Sequence, residues 1–293
     1  MNPSIEDLHA QYRQNGYVLL PDALSAEELR QLQATTDRIA EQGRSQTEDN
    51  AMFDFEAGHN AQTPLVQRIK KPHNIDPLYF QLARTPAIFE LVQRICGENV
   101  RLNHSKINMK AARAGSPLEW HQDWAFAPHT NMSTCVASVM IDDVSLENGA
   151  MQVLPGSQDG PLYEHHDPEQ GFIGAVDIAA QKVDLSNTAS LVGTAGTVSI
   201  HHPMLMHGSG ANRSGRQRRI LFLEYAASDA YPLFYDVDWG EYDSRLLSGP
   251  PTSEVRCEPN RIKLPFPSRS GFSIYKAQAN ARARYFDTDK ATA

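Results

Sequence analysis

The side chains best suited to chemistry lie in Glu119-Trp120-His121-Gln122-Asp123-Trp124 and, further on, in Met206-His207-Gly208-Ser209-Gly210. His121 and Asp123 stand two positions apart, so on an extended strand both project from one face. Two imidazoles and one carboxylate on one triangular face of an octahedron are the ligand set of non-haem Fe(II) oxygenases. His121, Asp123 and His207 are therefore the candidate ligands of one iron. A histidine and an aspartate at this spacing also occur as a plain hydrogen-bonded core pair. The chain has eleven histidines, and His129, His201, His202 and the adjacent His165 and His166 are rivals for a place at the metal.

Context singles out His207. Between it and Arg218 lie Gly208-Ser209-Gly210-Ala211-Asn212 and Ser214-Gly215. The Ser209 hydroxyl and the Arg218 guanidinium, at the start of an apolar run, could face one anionic group together. Arginine binds carboxylates bidentately and keeps its charge. A dicarboxylate would suit such a site, one end chelating the metal and the other on Arg218 and Ser209. Against this, Arg216, Arg218 and Arg219 could form a solvated basic turn. His202 has Arg213 at the same spacing, so spacing alone leaves the choice open.

The elements that must position these residues are partly readable. Tyr17-Val18-Leu19-Leu20 is a short apolar strand ended by Pro21-Asp22. Ser25 and Glu28 form a capping box, with Leu24 and Leu29 placed as a hydrophobic staple. The helix that follows, over about residues 26–42, carries Leu29, Leu32, Thr36 and Ile39 on one stripe. Residues 43–63 are polar and read as a loop. Thr85-Pro86 opens a second helix that runs to Gly97.

Short strands and turns dominate after that. On a strand over 101–110, Leu102, His104, Lys106, Asn108 and Lys110 share one face. That polar face is either solvated or lines a pocket. An apolar strand over 135–141, a turn at Glu147-Asn148-Gly149, a strand over 150–154 and a turn at Pro155-Gly156-Ser157 come next. Residues 160–191 read as an insertion, 197–201 and 219–225 as further strands, and 277–283 as a helical stretch in an aromatic-rich tail. Helices first and many short strands later predict a mainly β jelly roll with helices packed outside.

Composition bounds the function. The net charge of -8 argues against broad nucleic-acid binding. Cys96, Cys135 and Cys257 are odd in number and far apart, which fits a reducing, cytoplasmic setting better than a disulfide scaffold. The first fourteen residues hold charges and no long apolar run, so neither a leader nor a membrane span is expected. Oligomeric state is not readable.

Taken in order, His121-Gln122-Asp123, Glu147-Asn148-Gly149, Val153-Leu154-Pro155-Gly156-Ser157 and His207-Gly208-Ser209-Gly210-Ala211-Asn212 with Arg218 resemble the phytanoyl-CoA dioxygenase family of 2-oxoglutarate-dependent oxygenases. Asn15-Gly16-Tyr17-Val18 and its following helix resemble that family's opening, and the likeness spans about residues 10–226. The resemblance implies a double-stranded β-helix (cupin-like) core, Fe(II) on His121, Asp123 and His207, and 2-oxoglutarate and O2 as cosubstrates. It implies Arg218 as the 2-oxoglutarate anchor, with Ser209 beside it. Ile107-Asn108-Met109-Lys110 is similar to a run in ectoine hydroxylases whose asparagine contacts 2-oxoglutarate, and Lys71 loosely matches a cosubstrate-contacting lysine of phytanoyl-CoA hydroxylase. A tryptophan that helps hold the cosubstrate in that enzyme is replaced by Ser138.

One oxygenase domain over 1–293 is expected, with helical support to about 97, the jelly roll over about 98–226 and an extension beyond about 227. The reaction implied is oxidative decarboxylation of 2-oxoglutarate to succinate and CO2 coupled to hydroxylation of a small organic molecule. The intact Asp123 favours hydroxylation over halogenation. Desaturation, epimerisation or ring formation on the same iron, or a non-catalytic metal-binding jelly roll, are the alternatives. His104, Lys106 and Lys110 would suit an anionic substrate, and Trp124, Phe126 and His129 could wall its pocket.

Overall fold

The computed structural model describes residues 3–234, 237–267 and 273–286. Helices α1 (Ile5–Asn15), α2 (Ala26–Gln42), α3 (Pro77–Leu82) and α4 (Pro86–Cys96) lie in the first third, and α5 (Trp239–Ser244) and α6 (Ile274–Gln278) in the last part. Both long N-terminal helices start from capping boxes, Ser4 with Asp7 and Ser25 with Glu28. The second of these matches the sequence reading. The first was not foreseen, because the weakly amphipathic α1 buries only Tyr12 fully.

Strands β1 (Tyr17–Leu20), β2 (Phe53–Phe55), β3 (Val66–Lys70), β4 (Val100–Lys110), β5 (Leu118–His121), β6 (Thr134–Met140), β7 (Met151–Val153), β8 (His166–Asp167), β9 (Gly171–Phe172), β10 (Ala189–Leu191), β11 (Val198–His201), β12 (His207–Ser209) and β13 (Arg218–Ala227) complete the inventory. A seven-stranded sheet runs β1-β11-β6-β13-β4-β3-β2 and a four-stranded sheet runs β10-β7-β12-β5. This is the jelly roll that the sequence predicts. The residues read as a loop over 43–63 contain β2, which pairs with β3 at the edge of the larger sheet. Residues 207–209 form a strand between β5 and β7. The helix expected over 277–283 is instead α6, shifted toward the N-terminus.

Side-chain alternation divides the larger sheet into two chemically distinct faces. Ile107, Val139, Ile200, Leu221 and Leu223 point to one side and pack with Leu32, Ile39, Ile88 and Leu91 of the helices. Removing one such side chain costs about 2–5 kcal/mol. On the other side β13 sets Glu224 opposite His104, Phe222 opposite Lys106, Ile220 opposite Asn108 and Arg218 opposite Lys110. The polar face of β4 therefore looks inward.

A cavity of about 510 Å³ lies between the two sheets, with His104, Lys106, Asn108, Arg218, Ile220, Phe222 and Glu224 on one wall and Leu118, His121, Met151, His207 and Ser209 on the other. Tyr242, Arg245 and Tyr275, from beyond β13, also line it. No helix among the described residues is long and apolar enough to cross a membrane.

Candidate active site

His121 ends β5 and His207 begins β12, and the two are direct cross-strand partners. Strands distant in sequence thus bring the imidazoles to a ring separation of 4.1 Å. Their Nδ1 atoms donate backward along the chain, His121 to the Glu119 carbonyl at 2.7 Å and His207 to the Leu205 carbonyl at 2.9 Å. Each Nε2 is therefore left as a bare lone pair, the form that binds a metal. These Nε2 atoms lie 3.8 Å and 3.7 Å from Asp123 Oδ1.

The three candidate ligand atoms all fall within 4.8 Å of one another. Burial, reinforced by the neighbouring His207, pushes the His121 imidazolium well below its ordinary value, and burial lowers His207 to about 4. The Asp123 carboxyl lies well below the usual range because the surrounding His207, His201 and Lys106 outweigh its desolvation. The set is thus neutral, neutral and anionic near pH 7, as Fe(II) requires.

Gln122 explains why the pair is rigid, and sequence reasoning missed it. Its side chain points away from the cavity and is fully buried. It donates to the carbonyls of Met204 at 2.9 Å and Pro161 at 3.1 Å and accepts from Tyr163 N–H at 2.8 Å. Its own N–H donates to His165 Nε2 at 2.9 Å. The residue between the two ligands thus ties the strand to the loops on either side, and His165 serves as a backbone anchor. His166 faces Glu164 instead, and His202 Nδ1 accepts from Met204 N–H at 3.0 Å. The signal was the position itself, since a strand that aims two ligands inward must turn the residue between them outward.

At the far end of the cavity Arg218 is buried, and its guanidinium donates to the Gly149 carbonyl at 2.8 Å while Nε has no partner. Burial lowers its pKa to about 10, still charged near neutrality. Asn108 Oδ1 is likewise buried and unpartnered. Gly149 has φ 86°, and a Cβ there would meet the Gly210 carbonyl oxygen at 2.7 Å. The turn Glu147-Asn148-Gly149 therefore requires glycine and presents its carbonyl to Arg218. Asn212 locks the loop before β13, donating to the Lys110 and Arg216 carbonyls. Arg216 is exposed, and Arg219 faces the opposite way, bidentate on Asp142 at 2.9 Å and 2.7 Å. The three arginines do not form one solvated turn.

Several predicted pocket residues lie elsewhere. Lys110 is not among the lining residues; it is buried behind Ser209. Trp124 is also absent from the lining; its indole N–H donates to the Arg261 carbonyl. It belongs to the core. Lys71 lines the cavity, but its ammonium is 3.2 Å from Glu241. It follows Lys70, which pairs with Lys106, whereas Arg218 pairs with Lys110. The strand register thus separates it from the Arg218 end. Phe126, His129, His104 and Lys106 do line the cavity. Phe126 packs edge-on against His121 at 5.6 Å.

A family model described as phytanoyl-CoA dioxygenase (PhyH) matches residues 12–220. The chain belongs to the phytanoyl-CoA dioxygenase family. It is 36% identical over 284 residues to the protein named probable alpha-ketoglutarate-dependent hypophosphite dioxygenase of Stutzerimonas stutzeri, covering 94% of this chain and 98% of that one. It is 28% identical over 238 residues to L-proline trans-4-hydroxylase of Streptomyces griseoviridis, covering 75% of this chain and 85% of that one. The iron-bound structure of EctD from S. alaskensis shares the fold, with a TM-score of 0.64 and 23% identity over 78% of this chain and 79% of that one. The protein is an Fe(II)- and 2-oxoglutarate-dependent dioxygenase acting on a small molecule.

The dioxygenase uses its C-terminal part to brace the metal-side strand. Gln278 of α6 accepts from Glu119 N–H at 2.8 Å and donates to the Glu119 carbonyl at 3.3 Å and the Gly174 carbonyl at 2.7 Å. That Glu119 carbonyl also receives His121 Nδ1. Gly208, beside the other histidine, has no room for a side chain, since a Cβ would lie 3.0 Å from the Leu118 carbonyl oxygen. Both histidines are thus fixed through backbone groups.

Proposed function

We propose that this dioxygenase hydroxylates a small anionic molecule, with residues 1–293 acting as one oxygenase unit. In this reading His121 Nε2, His207 Nε2 and Asp123 hold Fe(II). Arg218 and Ser209 take the distal carboxylate of 2-oxoglutarate, and Asn108 lies along its path. The orphaned Arg218 Nε and Asn108 Oδ1 fit a ligand that completes them. Bound iron and 2-oxoglutarate supply the oxidising power, with succinate and CO2 as coproducts. The chain's own part is to orient the reactants and exclude water. Phe126, Ile220, Phe222 and Met151 supply the apolar lining for this.

Lys106 carries the substrate assignment. It lines the cavity on the side away from Arg218 and is near enough to Asp123 and His207 to lower both. Its ammonium is 2.9 Å from Glu224, which holds it in place. An oxyanion seated there would lie between Lys106, His104 and the metal triad. The relative named for hypophosphite, aligned over almost its whole length, makes phosphorus oxyanions the first class to test, ahead of carboxylates.

The test is succinate release by purified protein with Fe(II), ascorbate and 2-oxoglutarate, with and without hypophosphite, small phosphonates and small amino acids. Stimulation by the phosphorus compounds, lost or much reduced in Lys106→Met, is the expected result. Equal stimulation of wild type and Lys106→Met would overturn the anionic reading.

A further inference from the structure

We infer that His201 is a positioning residue for the iron-binding carboxylate, dictating which oxygen of Asp123 faces the metal. The inference rests on the reading of Asp123 as a ligand. His201 ends β11, one strand in from the edge of the larger sheet, between Tyr17 on one side and Val136 on the other. Its ring is completely buried and lies 5.0 Å from that of His207. Yet it is not one of the three mutually close ligand groups. Its Nε2 is 3.2 Å from Asp123 Oδ2.

A carboxylate oxygen can only accept, so the proton of this contact sits on His201 Nε2. The carboxylate is thereby split into two roles. Oδ2 is occupied by His201, while Oδ1 is the oxygen that faces His121 and His207. With Oδ2 engaged, Asp123 offers one oxygen rather than two to a metal, which leaves room on the metal for other ligands.

A second observation argues against a merely space-filling role. His201 Nδ1 is buried and has no partner. An apolar side chain of similar size would avoid that cost. Second-layer hydrogen bonds of this kind orient metal-binding carboxylates, and losing one typically weakens metal binding or activity about 10–100-fold.

The experiment compares anaerobic Fe(II) affinity, measured against a competing chromophoric chelator, in wild type, His201→Phe, His201→Gln and Asp123→Ala. The visible charge-transfer absorption of the anaerobic Fe(II)–2-oxoglutarate complex is recorded for each. His201→Phe fills the space without a donor and is expected to weaken Fe(II) binding roughly 10–100-fold and shift the absorption. His201→Gln places an amide N–H near the lost Nε2–H and is expected to recover most of both. Wild-type affinity and absorption in His201→Phe, or equal loss in the glutamine and phenylalanine variants, would overturn the inference. If His201→Phe does not fold, His201→Leu takes its place in the comparison. Asp123→Ala separates the two readings: unchanged affinity there removes the ligand assignment itself, whereas lost affinity there with an unaffected His201→Phe removes only the role of His201.

Discussion

Lys110 places its ammonium 2.8 Å from the Ser209 hydroxyl oxygen, behind that serine and outside the cavity. It also donates to the Ser209 and Gly210 carbonyls. Three acceptors match the three N–H bonds of an ammonium. Burial and the adjacent Arg218 push the Lys110 pKa well down, against the opposing charges of Glu56 and Glu119. Because Ser209 Oγ accepts from Lys110, its own proton is free to point into the cavity. Lys110→Met should therefore weaken 2-oxoglutarate binding by roughly tenfold or more, the scale of one charged hydrogen bond. Tryptophan quenching on titration with 2-oxoglutarate measures this, and Fe(II) affinity should change little. An unaltered titration would show that Ser209 needs no such orientation.

Arg218 bears on the same end more directly. Arg218→Lys keeps a charge but cannot form a planar fork, so it is not conservative at such a site. The 2-oxoglutarate KM should rise roughly thirtyfold or more, the effect of truncating a buried charge partner. Fe(II) affinity should stay near wild type, because Arg218 is not one of the three mutually close ligand groups. Loss of iron binding alongside would mean that Arg218 supports the fold rather than the cosubstrate.

The legible parts of this site were those where local geometry and chemistry coincide. His121 and Asp123 could be paired from a spacing of two because that is the period of a strand. His207 could not be chosen from spacing, since His202 offered the same interval to an arginine. The surrounding order of motifs chose it, and the structure shows what those motifs do. Gly149 presents a carbonyl to Arg218, Ser157 Oγ accepts from Met206 N–H, and Asn212 closes the loop before β13. Each is a turn that aims a neighbouring functional group.

Long-range placement was not legible. Nothing local distinguishes Lys110, behind Ser209, from Lys106 on the same strand face, or His201 from His202. The grip of Gln278 on Glu119 spans 159 positions and leaves no periodic trace. Trp124 looked like a pocket wall because it adjoins the ligands, but the short 3-10 turn over Asp123–Ala125 rotates it into the core.

Acid should destabilise the metal-free protein before its carboxylates are protonated. Burial lowers the imidazole pKa of His129 and His165 to about 4 and of His73 to about 3, from an ordinary 6.5. Between those values the unfolded chain takes up protons that the native state refuses. The stability contributed by these groups is thus complete above about pH 6.5 and is lost as pH falls toward 4, at about 1.4 kcal/mol per pH unit for each. Urea unfolding at about pH 7.5 and about pH 5.5 should show a clear drop in ΔG at the lower pH. His129→Asn, which keeps a donor for the Ala127 carbonyl, should flatten the slope by about one proton. A pH-independent ΔG would contradict neutral burial of these rings.

The C-terminal part can be tested for its hold on the metal side without removing it. In Gln278→Ala the Glu119 peptide loses an acceptor for its N–H and a donor to its carbonyl. Taking the acceptor from that buried N–H costs about 1–3 kcal/mol, so Tm should fall by several degrees, at about 2–4 °C per kcal/mol for a chain of this size. Because the Glu119 carbonyl also holds His121 Nδ1, Fe(II) affinity should weaken by more than the stability loss alone explains. Gln278→Glu restores an acceptor but no donor, and should recover part of the Tm while leaving the iron defect. If both variants lose stability yet bind Fe(II) as wild type does, α6 only covers the jelly roll. If iron binding falls while the rest of the fold stays intact, this helix aims a ligand from the far end of the chain.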